Sequence, residues 1–195
     1  MNRSQLNGWK MKPQKYNIEF SNLQAIYNEL ISDVETAKKL DTNCYSEEFI
    51  KRTYTHSFFA MVEGVISQLK QIALQANKQT HVFKAYEIEI LSEQSSYLEN
   101  NGIAKQKNAK LKLMPNILFS LNYTAKALVL DFKVKTNNDG YESMLKAIKI
   151  RDRITHPKNK ESLIISDQDI VVLGKASAWF RDEAVRLLNQ IHEIV

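Results

Sequence analysis

The segment Arg151-Asp152-Arg153-Ile154-Thr155-His156 brings together side chains that are able to move protons and bind phosphate. Asp152 and His156 are four residues apart, so they share one face if the segment is helical. A carboxylate in that position can accept a hydrogen bond from the imidazole and fix its tautomer. Arg151 adds a permanent cation whose planar guanidinium suits a phosphate group. The segment is therefore a candidate site for proton transfer beside a phosphate.

An imidazole, an orienting carboxylate and a guanidinium are sufficient for RNA cleavage without a metal ion. The histidine would move a proton to or from the 2′-hydroxyl or the leaving oxygen. The arginine would stabilise the charge that builds on the phosphoryl oxygens. The residues alone leave a second interpretation open, in which the segment is a basic helix end and His156 only caps backbone carbonyls.

Basic residues are concentrated in two regions of a chain whose net charge is +5. Residues 101–115 carry four lysines and no acid, and residues 145–160 carry six basic residues and one acid. The remainder of the chain is net acidic, so the basic character is local. Local basic surface is what a phosphate backbone requires, although a solvated lysine-rich loop beside a charged helix gives the same composition.

Familiar cofactor and metal motifs are missing from the sequence. The five glycines stand far apart, and there is no phosphate-binding lysine loop, no HExxH and no Cys/His metal spacing. Asp131-Phe132-Lys133 matches a nuclease fragment that belongs in a mixed sheet, which this sequence does not predict. We therefore expect no metal and no cofactor.

Cysteine content and hydropathy favour the cytoplasm. The one cysteine, Cys44, excludes a disulfide within the chain. The first fifteen residues are polar and basic with no apolar stretch behind them, and no apolar run approaches the roughly 18 residues that span a bilayer. We expect no signal peptide and no membrane span.

A helix over residues 141–156 would position the candidate site. The turn-forming residues 137–140 precede it, and Pro157 stops it. Tyr141, Leu145 and Ile148 form its predicted apolar stripe, and the same spacing continues to Asp152 and then to Thr155 and His156. The pattern predicts a core-facing line that turns polar in its last turn.

Helical periodicity dominates the rest of the chain. Predicted helices cover residues 21–40, 46–75, 82–97, 111–130 and the region after Ser166, with a basic connector at 103–112. Residues 129–134 alternate in a way that fits a short strand or an extended connector. The fold class is all-α: one domain over residues 1–195, built as a four- to five-helix bundle, with residues 1–20 extended or loosely packed.

At Arg151 to Pro157 the sequence resembles the HEPN superfamily of small helical domains. The family signature is an arginine, a polar residue, three further residues and a histidine that is often followed by proline. The long helix gives a second match, at Tyr54-Thr55-His56-Ser57-Phe58-Phe59-Ala60-Met61-Val62-Glu63-Gly64-Val65-Ile66. The resemblance covers roughly residues 46–192.

The resemblance implies a metal-independent endoribonuclease that leaves a cyclic phosphate, of the kind found in toxin–antitoxin or anti-phage systems, with a separate partner chain. It implies a homodimer in which two Arg/His sets face one cleft. Arg151 and His156 would be catalytic and Asp152 orienting, with His56 and Glu63 as supporting residues. RNA would lie along the 105–112 connector and along the cations of residues 146–160, which are Lys146, Lys149, Arg153, Lys158 and Lys160.

A non-catalytic helical module that binds RNA or a protein partner is the alternative, since some members of the family have lost activity. Arg151 and His156 would then be structural. A DNA-binding function is less favoured, because the sequence has no clear helix-turn-helix or zinc pattern.

Overall fold

Six α-helices and one short β-hairpin form the part of the chain described by the computed structural model, residues 17–194. The elements are α1 (Asn17–Lys38), α2 (Glu47–Thr80), α3 (Ala85–Leu91), β1 (Gln94–Leu98), β2 (Ala104–Asn108), α4 (Leu113–Ala127), α5 (Asp139–Thr155) and α6 (Asp167–His192), with a 3-10 helix at Lys160–Leu163. The predicted mostly helical fold class is confirmed.

The centre of the bundle is α2, against which α1, α3, α4, α5 and α6 all pack. Its first turn is capped by Ser46, whose hydroxyl accepts a hydrogen bond from the Phe49 N–H at 3.3 Å. It ends at Thr80, and the C-cap residue His81 adopts a left-handed backbone with φ 50°. Apolar residues that recur at steps of three or four along α2 are buried: Tyr54, Phe58, Val62, Val65, Leu69 and Ile72.

The first helix begins earlier than the sequence predicts. α1 starts at Asn17, so residues 17–20 are helical rather than extended or loosely packed. Phe20 stacks on His192 of α6, with ring centroids 6.4 Å apart, which fastens this end of α1 to the bundle. The remainder of the predicted loose segment, residues 1–16, lies outside the described residues.

The predicted helix over residues 82–97 is wrong in its second half. α3 ends at Leu91, and Glu93 has φ 54°, a left-handed conformation that redirects the chain into β1. β1 pairs antiparallel with β2, with Tyr97 opposite Lys105 and Ser95 opposite Lys107. Half of the basic connector expected at 103–112 is therefore the second strand of a hairpin.

Residues 129–134, described throughout, form no strand. Val129 has φ 57° in the turn that follows α4, and residues 130–134 have no regular structure and bond to helices instead of to another strand. The Val134 N–H donates to Asn122 Oδ1 at 3.0 Å, and Arg186 donates to the Lys133 carbonyl at 2.7 Å. Side chains of α4 and α6 thus satisfy backbone groups that a partner strand would have satisfied.

Two capped helices, α5 and α6, pack against each other. Asn138 caps α5 by accepting from the Tyr141 N–H at 2.9 Å. Ser166 and Asp169 form a reciprocal capping box at the start of α6. The buried side chains from α1 to α6 make one hydrophobic cluster.

Among residues 17–194, no helix is both long enough and apolar enough to cross a membrane.

Candidate functional site

The core-facing stripe of α5 is not the one that the sequence predicts. The buried positions include Met144, Ala147, Ile150 and Ile154. Tyr141, Leu145 and Ile148 are only half-buried, and Asp152, Thr155 and His156 are exposed. The buried face of α5 is rotated around the helix axis from the predicted stripe. Apolar side chains cover a wide arc of α5, and the middle of that arc packs against α6 and α2. The polar end of the helix therefore faces solvent rather than the core.

Arg151 lies at the contact between α5 and α2. Its guanidinium pairs with the carboxylate of Glu63 on α2 and with Asp152 Oδ1, the latter at 3.0 Å. It also lies over the buried ring of Phe59, 5.8 Å from the centroid. The Arg151 side chain is 27% exposed, so part of it stays within reach of a ligand. Glu63, Asp152 and Phe59 together fix where this cation sits.

His156 ends α5 and is exposed. It is the C-cap residue, and its backbone N–H donates to the Asp152 carbonyl at 3.0 Å. Across the described part of the chain, no hydrogen bond joins its imidazole to the Asp152 carboxylate. The expected orienting bond is replaced by the Asp152–Arg151 pair, because the neighbouring guanidinium offers a charge-assisted bond.

Arg151 and His156 face different directions in one chain. Five helical residues correspond to a rotation of about 140° around the axis. Arg151 turns towards α2, as its pair with Glu63 shows, whereas His156 turns away from the core. His156 is the C-cap residue and has a non-helical backbone, and no described contact joins it to Arg151.

The outer face of α5 carries a continuous basic stripe. Lys146, Lys149, Arg153 and His156 fall within about 80° of the helix circumference and span about 15 Å along it. The two lysines and His156 are exposed, and Arg153 pairs with Asp169 at 2.9 Å. We call these four residues the α5 stripe. The chain continues beyond it through two further exposed cations, Lys158 and Lys160.

The two supporting residues inferred from the family resemblance differ in position. Glu63 contacts Arg151 directly. His56 is exposed on the same side of α2, two helical turns or roughly 10 Å before Glu63. The described contacts do not join His56 to Arg151.

A polar cleft beside Arg151 contains residues that sequence reasoning missed. The cleft has a volume of about 300 Å³ and is lined on its polar side by Glu63, Ser67, Glu93, Asn116 and Arg151. Under it lies Lys70 of α2, whose side chain is 2% exposed and pairs with Glu93 and with Asn116 Oδ1, the latter at 3.0 Å. Lys70 interrupts the apolar pattern of α2, which was the one signal in the sequence that could have indicated it.

The described residues contain no group of three or more His, Cys, Asp or Glu side chains that could hold a metal ion.

Comparison with models of protein families gives no match, and comparisons with curated proteins and with solved structures find no similar protein.

Proposed function

We propose that this protein binds RNA along the α5 stripe and cleaves it in the cytoplasm as a metal-independent endoribonuclease. The observation that carries the proposal is the exposed row of cations on α5 that ends in His156. A row of cations attracts the phosphates of RNA, and the imidazole at its end is exposed to a bound strand. The resemblance to HEPN domains supports the further step from binding to cleavage.

In the proposed reaction, His156 accepts the proton of a ribose 2′-hydroxyl. The 2′ oxygen then forms a bond to the adjacent phosphorus, and the bond from phosphorus to the 5′ oxygen breaks. The leaving 5′ oxygen takes a proton from solvent, so the products are a 2′,3′-cyclic phosphate and a 5′-hydroxyl. Arg151 stabilises the charge on the phosphoryl oxygens.

The proposed active form is a homodimer. Because Arg151 and His156 point about 140° apart around α5, we propose that each site combines Arg151 of one chain with His156 of another. Asp152 then acts on Arg151, which it already contacts, rather than on the imidazole. The family resemblance further suggests a toxin–antitoxin or anti-phage role in which a separate protein restrains the activity.

A second candidate is a module that binds RNA or a protein partner without cutting RNA. The occupation of Arg151 by two carboxylates favours it, because Glu63 and Asp152 compete with a phosphate for the guanidinium. The absence of an Asp152–imidazole bond within residues 17–194 points the same way.

Incubation of the purified protein with total RNA in excess chelator tests the proposal. We expect cleavage that leaves cyclic phosphate ends, and loss of cleavage in His156→Ala. His81→Asn is the matched control: His81 is exposed at the end of α2, and asparagine tolerates its left-handed backbone. RNA that is bound but uncut would favour the second candidate, and equal cutting by His156→Ala would exclude His156 as the catalytic base.

A further inference from the structure

The hairpin of β1 and β2 is a strongly exposed element with a chemically distinct face. All five residues of β2 are exposed, and Leu98 and Ile103 near the turn are 73% and 53% exposed. The hairpin packs against α3 through β1. A lysine-rich, solvent-exposed ribbon with so little of its surface in the core is a candidate binding surface.

The strand register places an aromatic ring and two lysines on one side of this hairpin. Residues directly opposite in an antiparallel pair point to the same face, and alternate residues along a strand share that face. Tyr97, Lys105 and Lys107 therefore lie together, and Lys107 Nζ is 5.3 Å from the centroid of the Tyr97 ring. Lys105 Nζ pairs with Glu99 Oε1 at 2.7 Å, and the Lys105 side chain is still 51% exposed, so a phosphate can compete with Glu99 for it. The chain that leaves β2 adds two exposed lysines, Lys110 and Lys112.

The base of the hairpin is fixed beside Arg151. Glu93 closes the ribbon, since its carbonyl accepts from the Ala109 N–H at 2.8 Å. Its carboxylate pairs with the buried Lys70, which also donates to Asn116 of α4. Because a buried cation that loses its partner is costly, this pair holds the hairpin in a defined position. Glu93 and Arg151 line the same cleft, so the hairpin begins where the proposed site lies.

We propose that the hairpin is a binding arm for single-stranded RNA, with a base stacked on Tyr97 and phosphates held by Lys105 and Lys107. The inference rests on the proposed function, RNA binding, and adds the class of substrate. Base stacking on an exposed aromatic side chain requires a base that is not paired in a duplex. Lysines on the same face supply the cations that follow the backbone of the strand.

Fluorescence anisotropy with a short labelled single-stranded RNA tests the arm, with probe integrity checked on a denaturing gel. Tyr97→Leu should weaken binding at least about five-fold through loss of stacking, whereas Tyr97→Phe should bind as the wild type does. Neither change should alter binding of the matching duplex. Thermal melts of each variant verify that the bundle stays folded.

The salt dependence tests the lysines. The double variant Lys105→Ala/Lys107→Ala should lower the slope of log affinity against log salt by about 1.4, because each phosphate of a single strand that a lysine neutralises adds about 0.7 to that slope. The control Lys39→Ala/Lys175→Ala removes the same charge from exposed positions outside the hairpin and should leave the slope unchanged.

The outcomes separate the arm from the proposed function. One outcome would overturn the hairpin as a binding arm and leave the proposal of RNA binding on α5 intact. In that outcome Tyr97→Leu and the Lys105→Ala/Lys107→Ala variant bind RNA with wild-type affinity, whereas Lys146→Ala/Lys149→Ala does not bind it. No binding of RNA by the wild-type protein overturns both. If the wild type binds a DNA strand of the same sequence more tightly than the RNA, and Tyr97→Leu loses that binding, the ligand of the hairpin is not RNA.

Discussion

Arg151 is positioned by two carboxylates that are themselves about half exposed. The side chains of Glu63 and Asp152 are 47% and 55% exposed. Ion pairs with that much solvent around them contribute only about 0.2–1 kcal/mol each. A phosphate that forms two parallel hydrogen bonds with the guanidinium can therefore replace one of them. Glu63 and Asp152 orient Arg151 without closing it to a ligand.

Glu87 of α3 is a residue whose charge state should control acid stability. It is 5% exposed and accepts hydrogen bonds from the Lys84 N–H at 2.7 Å, the Tyr123 hydroxyl at 2.8 Å and Lys126 Nζ at 3.0 Å. These donors, the Lys84 N–H foremost, hold the pKa of Glu87 below its ordinary value of 4.5. The folded protein therefore favours the charged carboxylate more than the unfolded chain does.

Because the folded pKa of Glu87 is the lower one, its contribution to stability is complete above the unfolded pKa. That contribution is lost as the pH falls through the folded pKa. Denaturant titrations at a series of pH values should show that the wild type loses more stability than Glu87→Gln between about pH 5 and pH 3. Parallel losses in the two proteins would contradict the assignment.

For individual residues, the sequence indicated which side chains belong to the candidate site but not which way they face around α5. The spacing of Arg151, Asp152 and His156 correctly placed them at the C-terminal end of α5. Which face of α5 is buried depends on the helices that pack against it, and Tyr141 and Met144 are both apolar enough to serve. The pairing of Arg151 with Glu63, 88 residues away in the chain, is a tertiary contact that local pattern does not contain.

At the scale of elements, helix starts were more predictable than the hairpin. Ser46 and Ser166 cap α2 and α6 as their types predict, because a hydroxyl before a helical segment satisfies a free N–H. The strands Gln94–Leu98 and Ala104–Asn108 are rich in polar residues with weak strand preference. Asn101-Gly102 between them is typical of a hairpin turn, but the same pair is also typical of the residues that follow a helix, so it does not by itself predict the strands.

Two glycines test how closely α5 and α6 pack. A Cβ on Gly140 of α5 would lie 2.5 Å from Trp179 Cβ of α6, whereas a Cβ on Gly174 of α6 would meet nothing within 4 Å. We expect Gly140→Ala to destabilise the protein by about 1–3 kcal/mol, since the two helix backbones must separate. The matched change Gly174→Ala should stabilise it by up to about 1 kcal/mol through helix propensity.

Chemical denaturation of the wild type and both glycine variants measures these effects. A stability of Gly140→Ala equal to that of the wild type would show that α5 and α6 are not in the close contact described. Because the α5 stripe lies on this helix, such a result would also mean that the stripe has a different position relative to α6.

At the scale of the whole molecule, the proposed site requires two chains. Co-expression of Arg151→Ala and His156→Ala chains with different tags allows the mixed dimer to be isolated. If each site takes Arg151 from one chain and His156 from the other, the mixed dimer keeps one intact site. RNA cleavage should then return to about half the wild-type rate, although each variant alone is inactive.

The mixed dimer also discriminates between arrangements. If both residues of a site came from one chain, each site in the mixed dimer would lack one of them and cleavage would stay absent. A wild-type protein that remains monomeric by sedimentation while it cleaves RNA would likewise contradict the two-chain site.

The most direct test of the proposed mechanism separates RNA binding from RNA cleavage at His156. Single-turnover cleavage rates and dissociation constants for one RNA, measured in chelator, should be compared between wild type and His156→Ala. We expect a dissociation constant within a few-fold of the wild-type value, because the other three residues of the α5 stripe remain, and a cleavage rate at least about 100-fold lower, the usual size of a general-base contribution. An unchanged cleavage rate in His156→Ala would contradict the mechanism.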